Sequence, residues 1–132
     1  MEVKIDTKEK FTVIIPQEPH IYDNMAAELA AVCIPYLEGK IKNIILNLQV
    51  VTSIDDDAAR IITKLQHEFY EHHASFVICG IKDSLEEVFE KLELMDIINF
   101  TPTESEAWDI VQMEEIEREL LDSNDVEFDI EK

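Results

Sequence analysis

Three consecutive aspartates, Asp55, Asp56 and Asp57, are the residues of this sequence best placed to do chemistry. They follow a largely apolar run at 43–51 and precede a helical pattern, so they are predicted to lie where a buried strand ends and a helix begins. In open α/β sheets, binding sites form at the carboxyl ends of strands. Carboxylates there could hold a divalent cation, stabilise the helix start, or present negative charge to a partner.

The metal interpretation is the weakest of the three. Consecutive residues at a helix start point in different directions, and no second acidic strand end completes a coordination shell. Capping is well supported, because Asp is a favoured N-cap and each carboxylate in a first turn contributes about 0.3–1 kcal/mol. Three adjacent carboxylates also repel one another, so capping and partner binding stay open as roles for this run.

Other reactive residue types indicate structural roles. Cys33 and Cys79 fall in apolar patterns typical of a core, and the four histidines lack metal-ligand spacing. With two glycines in the chain, a loop that cradles phosphate is nearly excluded. The sequence therefore predicts no catalytic residue, no metal and no cofactor.

Alternating strand and helix patterns must position the aspartates. The patterns predict an α/β fold, a small mixed sheet of about four to five strands with helices packed against it. Pro35 should kink or end the first helix. The predicted strands are 2–6, 11–15, 43–51 and 75–79, with a weaker one near 94–100, and the predicted helices start near Asn24, Asp55, Ser84 and Thr103.

Length and charge limit the function. The 132 residues suit one domain, and a net charge of −19 would repel nucleic acids and anionic membranes. No apolar run is long enough to span a membrane and no signal-peptide pattern opens the chain, so we expect a soluble, cytoplasmic protein. Residues 1–82 carry a net charge of −4 and residues 83–132 a net charge of −15, which could steer a partner with a basic surface to the second half or serve solubility alone.

The end of the chain is an acidic extension. We expect a domain over 1–115 and an extension over 116–132, which holds the end of the last helix and then a tail. Val126, Phe128 and Ile130 alternate with acids, so the tail could add to a sheet edge as a strand or stay disordered until a partner binds.

The aspartate segment and three later stretches together resemble the STAS domain (sulphate transporter and anti-sigma-factor antagonist). Val51-Thr52-Ser53-Ile54-Asp55 before a helix is similar to the family's Phe-Ile-Asp-Ser-Ser-Gly segment. The resemblance covers roughly residues 2–115 and lies in the order and spacing of the motifs. The later stretches are Phe76–Ile81, like the family's fourth strand, Glu86–Leu94, like its third helix, and Thr101–Trp108, like its closing strand-helix junction.

The resemblance implies a non-catalytic partner switch. Bacterial anti-sigma-factor antagonists bind a Ser/Thr kinase that is itself the anti-sigma factor. The kinase phosphorylates a hydroxyl of the antagonist at the start of the antagonist's second helix. The added phosphate dissociates the antagonist from the kinase, and a phosphatase removes it and resets the switch. By this resemblance Asp55 matches the family's Asp, and Asp57 falls on the usual phosphoacceptor serine, so the acceptor hydroxyl is missing. Thr52 and Ser53 carry hydroxyls that could accept phosphate, but both precede the family's acceptor position.

Two consequences of Asp57 compete. It could mimic the phosphorylated state permanently, or the partner surface could have changed to accept the acids. Glu93 also departs from the family, where many members carry Gly. The implied partner-binding surface comprises Ser53, Asp55, Asp56, Asp57, Ala58, Arg60, Ile81 and Lys82.

Two alternatives to the partner switch remain. One is a STAS-like scaffold or homodimer without a kinase partner. The other is a small metal-dependent enzyme that uses Asp55–Asp57.

Overall fold

Over the residues whose backbone the structure describes, seven strands and four α-helices follow one another. The computed structural model describes the backbone of residues 1–131 and the side chains of residues 1–121. The strands are β1 (Val3–Thr7), β2 (Phe11–Pro16), β3 (His20–Ile21), β4 (Asn43–Asn47), β5 (Ser53–Ile54), β6 (Phe76–Cys79) and β7 (Phe100–Thr101). The helices are α1 (Asp23–Cys33), α2 (Asp56–Glu71), α3 (Asp83–Lys91) and α4 (Glu104–Glu131).

Five of the strands form one mixed sheet in the order β1-β2-β4-β6-β7. The hairpin of β1 and β2 is antiparallel, and the pairs β2–β4, β4–β6 and β6–β7 are parallel. This arrangement confirms the predicted mixed α/β sheet with the opening hairpin at its edge. A second sheet of two short strands, β3 and β5, was not predicted.

The central strands are covered on both faces, because alternate side chains point to opposite sides of a sheet. Ile44 and Leu46 of β4 belong to the main core, which α1, α2 and α3 complete. Ile45 between them belongs to a smaller cluster with Ala107 and Val111 of α4. The largely apolar run that begins at residue 43 reflects this burial of β4 on both faces of the sheet.

The predicted strand over 43–51 is too long. It ends at Asn47, and a turn follows in which the Val51 N–H donates to the Leu48 carbonyl at 3.0 Å. The Asn47 side chain accepts from the Gln49 N–H at 2.9 Å and stabilises the turn. Leu48 and Val51 are nevertheless fully buried, so the apolar run continues through a turn that lies in the core.

Pro35 ends the first helix, as predicted. Helix α1 stops at Cys33, and a 3₁₀ helix continues over Ile34–Glu38. Proline cannot donate the hydrogen bond that the α-helix would need at this position. Cys33 is fully buried and burial raises the pKa of its thiol to about 12, which supports its interpretation as a core residue.

Helices α2 and α3 end in the same way. His73 and Glu93 follow their C-caps with φ of 61° and 59°, in the left-handed region. The next N–H in each case bonds back across the last turn, from Ala74 to the Phe69 carbonyl at 3.0 Å and from Leu94 to the Phe89 carbonyl at 2.8 Å. These are Schellman motifs, which usually carry glycine at the left-handed residue.

Helix α4 is fastened to the sheet by a polar network. Asn43 of β4 donates to Glu115 Oε2 at 2.7 Å, and Arg118 donates to Ser75 Oγ at 2.8 Å. Glu114 accepts a hydrogen bond from the hydroxyl of Tyr70 at 2.9 Å. The helix therefore contacts the rest of the domain beyond Val111.

The C-terminal extension does not form the alternative edge strand, because its backbone continues α4, and ordering of the tail by a partner stays a prediction. The α4 backbone is helical through Glu131, because the acidic and apolar residues extend a helix already anchored by the polar network. The side chains of Val126, Phe128 and Ile130 lie outside the described residues. No helix in the described part of the chain is long and apolar enough to cross a membrane.

Candidate functional site

The segment before α2 is held by the small sheet of β3 and β5. The Thr52 N–H donates to the Pro19 carbonyl at 2.7 Å, and the Asp55 N–H donates to the Ile21 carbonyl at 3.1 Å. Pro19 and Ile21 lie just before and within β3, so a segment about 30 residues upstream fixes the entry of the chain into the helix. We call residues 53–60 the junction.

Asp55 is the N-cap residue of α2, but its side chain makes no capping bond. Its Oδ1 lies 3.1 Å from His20 Nε2, and the other ring nitrogen of His20 bonds to Ser53 Oγ. Asp55 therefore occupies the N-cap position, but its carboxylate binds a histidine of the neighbouring strand instead of capping the helix.

Asp56 faces the opposite side of the junction. Its Oδ1 lies 2.9 Å from Lys91 Nζ at the end of α3. Both side chains are about half exposed, so the pair contributes at most about 1 kcal/mol. Its main effect is to direct the Asp56 carboxylate toward α3.

Asp57 is the most exposed of the three acids, with 73% of its side chain accessible. Its nearest cation is Arg60, one turn further along the same helix, at 3.5 Å. No other element of the described chain covers this carboxylate with a hydrogen bond or ion pair. Asp57 therefore presents negative charge to solvent at the N-terminal end of α2.

The three carboxylates do not converge on one point. Asp55 turns to His20 of β3, Asp56 to Lys91 of α3 and Asp57 to Arg60 of α2. Over the described residues, no group of three or more His, Cys, Asp or Glu side chains is arranged to hold a metal ion. The geometry suits docking of another molecule and gives the metal-dependent interpretation no support.

The loop before α3 lies beside the junction. Lys82 Nζ donates to the carbonyl of Gln49 and lies 3.4 Å from that of Val51, and Ser84 Oγ donates to the Thr52 carbonyl at 2.7 Å. Lys82 is exposed and Ile81 is half-buried against the core. These contacts hold the loop before α3 against residues 49–52, the segment that leads into the junction.

Ala58 does not belong to the exposed partner-binding surface that was expected from the sequence. Its side chain is fully buried in the main core, because it lies on the inner face of α2 with Ile62. It cannot contact a partner directly. Ser53 is half-buried and bonded to His20, while Asp57 and Arg60 are exposed.

Two residues of the site were missed at the level of sequence, His20 and Lys91. Both contact the junction from about 35 residues away in the chain. Their positions depend on the pairing of β3 with β5 and on the packing of α3, and no local spacing of residue types reports such contacts.

Comparison with known protein families identifies the domain. The family model described as STAS domain matches residues 2–107. The chain belongs to the STAS domain family. The match covers the whole five-stranded sheet and ends near the start of α4, so most of that helix lies beyond the matched STAS domain.

Solved structures show the same fold at low sequence identity. A Thermotoga maritima protein described as a candidate anti-sigma factor antagonist aligns with a TM-score of 0.73 and 20% identity, covering 83% of this chain and 94% of its own. The anti-sigma factor antagonist SpoIIAA in its unphosphorylated form aligns with a TM-score of 0.67 and 16% identity, over 84% and 96%. RsbS from Moorella thermoacetica, in a serine-to-glutamate variant, gives a TM-score of 0.70 and 14% identity, over 85% and 96%.

Proposed function

We propose that this STAS domain is a non-catalytic binding module that works like an anti-sigma-factor antagonist in bacterial partner switching. Its partner is a protein of the Ser/Thr-kinase-type anti-sigma factor class or, as the alternative, a phosphatase of the same kind of system. The contact surface is the exposed part of the junction together with the loop before α3. The observation that carries the proposal is the exposed Asp57 carboxylate at the start of α2.

The charge at Asp57 has a direct consequence for a switch. A kinase of this class transfers phosphate to a hydroxyl, and a carboxylate cannot receive a stable phosphate ester. Asp57 supplies about one negative charge, whereas a phosphoserine carries roughly 1.5 to 2. The domain therefore resembles a modified antagonist permanently, and a kinase cannot alter it at this position.

The solved structures of similar proteins support the comparison of this domain with a phosphorylated antagonist. SpoIIAA is represented in both unphosphorylated and phosphorylated forms, and the RsbS structure carries glutamate in place of a serine. These proteins share the fold of this domain. A carboxylate at the equivalent of the modified residue is consistent with a domain fixed in one partner preference.

The partner surface is electrostatically mixed. Asp57 and Arg60 expose opposite charges on α2, and Lys82 adds a positive charge from the neighbouring loop. A partner that fits must match both signs, and mismatched charges at such a surface disfavour wrong partners. Arg60 and Lys82 are thus proposed to select the partner, while Asp57 sets the state that the partner detects.

The experiment compares the parent domain with Asp57→Ser and with Asp83→Ser, which removes the same charge from the start of α3. Each is titrated by calorimetry with a kinase-type anti-sigma factor encoded in the same genome. We expect Asp57→Ser to change the affinity at least tenfold, equivalent to about 1.4 kcal/mol, and Asp83→Ser to change it far less.

A second readout uses radiolabelled ATP and the same kinase. Asp57→Ser is expected to become phosphorylated, whereas the parent domain stays unlabelled. Equal affinities for all three proteins and no labelling of Asp57→Ser would contradict the proposed function.

A further inference from the structure

The outer face of α4 carries an apolar strip that the domain does not cover. Met113, Ile116 and Leu120 are 57%, 55% and 56% exposed. Their spacing of three and four residues places them on one side of the helix. Large apolar side chains grouped in this way on a surface mark an interaction site more often than isolated ones do.

The strip lies opposite the face by which α4 is docked. Ala107 and Val111 are fully buried against the sheet, and Arg118 bonds to Asn43 and Ser75. A helix turns about 100° per residue, so these inward residues and the strip lie on opposite sides. Core packing therefore does not account for the apolar character of the strip.

The exposed charges that α4 itself places around the strip are all negative, whereas Lys8 and Lys10 of the β1–β2 hairpin lie across the neighbouring groove. Glu117 and Glu119 are exposed and flank it on its two sides, and exposed Asp109 lies at its N-terminal end. Arg118 is the only Lys or Arg between 104 and 121, and it is turned inward, where it also binds Glu115 at 3.2 Å. Over the side chains described, the outer face of α4 has no cation to balance these carboxylates.

This charge pattern selects the occupant. A second copy of the chain would set Glu117, Glu119 and Asp109 against their like, and an anionic lipid surface or a nucleic acid would be repelled in the same way. An amphipathic segment that combines apolar side chains with Lys or Arg would cover the strip and pair with its flanks. Ile116 also borders a groove of about 460 Å³ that gives the apolar side chains of the segment room against Phe11 and Trp108, and whose charged lining is mixed, with Lys8 and Lys10 beside Glu9, Glu115 and Glu119.

We propose that the outer face of α4, Met113, Ile116 and Leu120 with Glu117 and Glu119, is a second docking surface that takes a basic amphipathic helix of a partner protein. It lies on the other face of the sheet from α2 and is independent of the junction. The domain thus carries one surface for the switch and another that holds it on a basic partner.

The test uses a labelled synthetic helical peptide of about 18 residues, with leucines spaced i, i+3, i+4, i+7 and lysines elsewhere. A second peptide has the same composition in an order without an apolar face. Binding to the full chain is followed by fluorescence anisotropy at about 50 and 300 mM salt. We expect saturable binding of the first peptide, at least tenfold weaker binding of the second, and weakening of both at the higher salt.

Variants test the apolar strip and its acidic flanks separately. The triple variant Met113→Ser, Ile116→Ser and Leu120→Ser should lose at least tenfold in affinity, and Ile97→Ser, which removes another exposed apolar side chain, should not. Glu117→Lys with Glu119→Lys should abolish binding, whereas Glu87→Lys with Glu90→Lys on α3 should reduce it only slightly. If the triple variant fails to fold, the comparison of the charge-reversed α4 variant with the charge-reversed α3 variant tests the proposal by itself. Asp57→Ser is expected to bind the peptide like the parent.

Several results would overturn the proposal. They are equal binding of both peptides, no saturable binding up to roughly 100 µM, and unchanged binding by the charge-reversed α4 variant. A dimer of the chain in sedimentation analysis that the triple variant dissociates would assign the strip to a second copy. Binding to anionic vesicles that depends on the strip would assign it to a membrane.

Discussion

His20 Nε2 lies 3.1 Å from Asp55 Oδ1 and joins β3 to the N-cap residue of α2. The same ring contacts Ser53 through Nδ1, so one histidine holds both ends of the segment that leads into α2. The exposed Asp57 follows two residues later. The position of the proposed switch residue thus depends on a strand of only two residues.

Removing the His20 imidazole should loosen this segment. We expect His20→Ala to destabilise the domain by about 0.5–1.5 kcal/mol, toward the lower end because the contact is partly exposed. Urea unfolding of His20→Ala, Asp55→Ala and the double variant measures the coupling between the two side chains. The same cycle on His20 and Arg60, which do not touch, should be additive within about 0.5 kcal/mol, and additivity for both pairs would contradict the role of this contact.

Gly80 should not tolerate a side chain. Its φ is 73°, and a Cβ there would lie 2.9 Å from Asn47 Oδ1 and 3.1 Å from the Gln49 nitrogen. We expect Gly80→Ala to cost roughly 1–3 kcal/mol, because the left-handed backbone and the close contact both oppose it. Gly39→Ala is the matched control, since a Cβ there meets nothing closer than 3.6 Å, and it should be neutral or slightly stabilising. Thermal unfolding that ranks the two variants equally would refute this expectation.

Glu93 occupies a left-handed position that glycine adopts at lower cost. With φ at 59°, we expect Glu93→Gly to stabilise the domain by up to about 1 kcal/mol. Glu87→Gly, in the interior of α3, should destabilise it by about the same amount. Denaturant midpoints of the two variants should therefore move in opposite directions, and a shared direction would show that position 93 does not set the end of α3.

Acid should weaken the attachment of α4 through Glu115. Burial opposes ionisation of this carboxyl, but hydrogen bonds from Asn43 and Arg118 and the charges of Arg118 and Lys10 prevail, so its pKa is lowered from the usual 4.5. A lowered folded pKa means that the stabilisation is present above pH 4.5 and is lost as the pH falls through the folded value. The unfolding free energy of Glu115→Gln should therefore fall less than that of the parent between pH 6 and 3. Glu117→Gln removes an equal charge without touching Asn43 or Arg118, and a parent-like acid response of Glu115→Gln would contradict the prediction.

Much of the fold could be predicted from periodicity. Strands β1, β2, β4 and β6, the helices and the break at Pro35 follow from local patterns of apolar residues, and the mixed sheet follows from their order. The strand predicted near 94–100 is wrong over most of its length, because only Phe100–Thr101 pairs with β6 and the apolar residues before it lie in turns. The error at 43–51 arose because a buried turn is as apolar as a buried strand. The small β3–β5 sheet was missed because two-residue strands carry no periodic signal.

The candidate site was predicted only in part. The aspartate run and the loop at Ile81 and Lys82 stay predicted partner contacts, while Ala58 is buried on the inner face of α2 and was wrongly included. His20 and Lys91, which orient two of the three carboxylates, could not be found locally because they lie about 35 residues from their partners. Whether the surface binds a kinase-type partner stays a prediction for the titrations above.

The sequence by itself determined the types of the longer elements, the strong negative charge and the run of three carboxylates at 55–57, because these depend on residue types and short spacings. Only the tertiary structure decided which way each aspartate turns and which face of α4 is left uncovered. Both depend on contacts between segments far apart in the chain, and such contacts exist only after the sheet has formed and the helices have packed on its two faces.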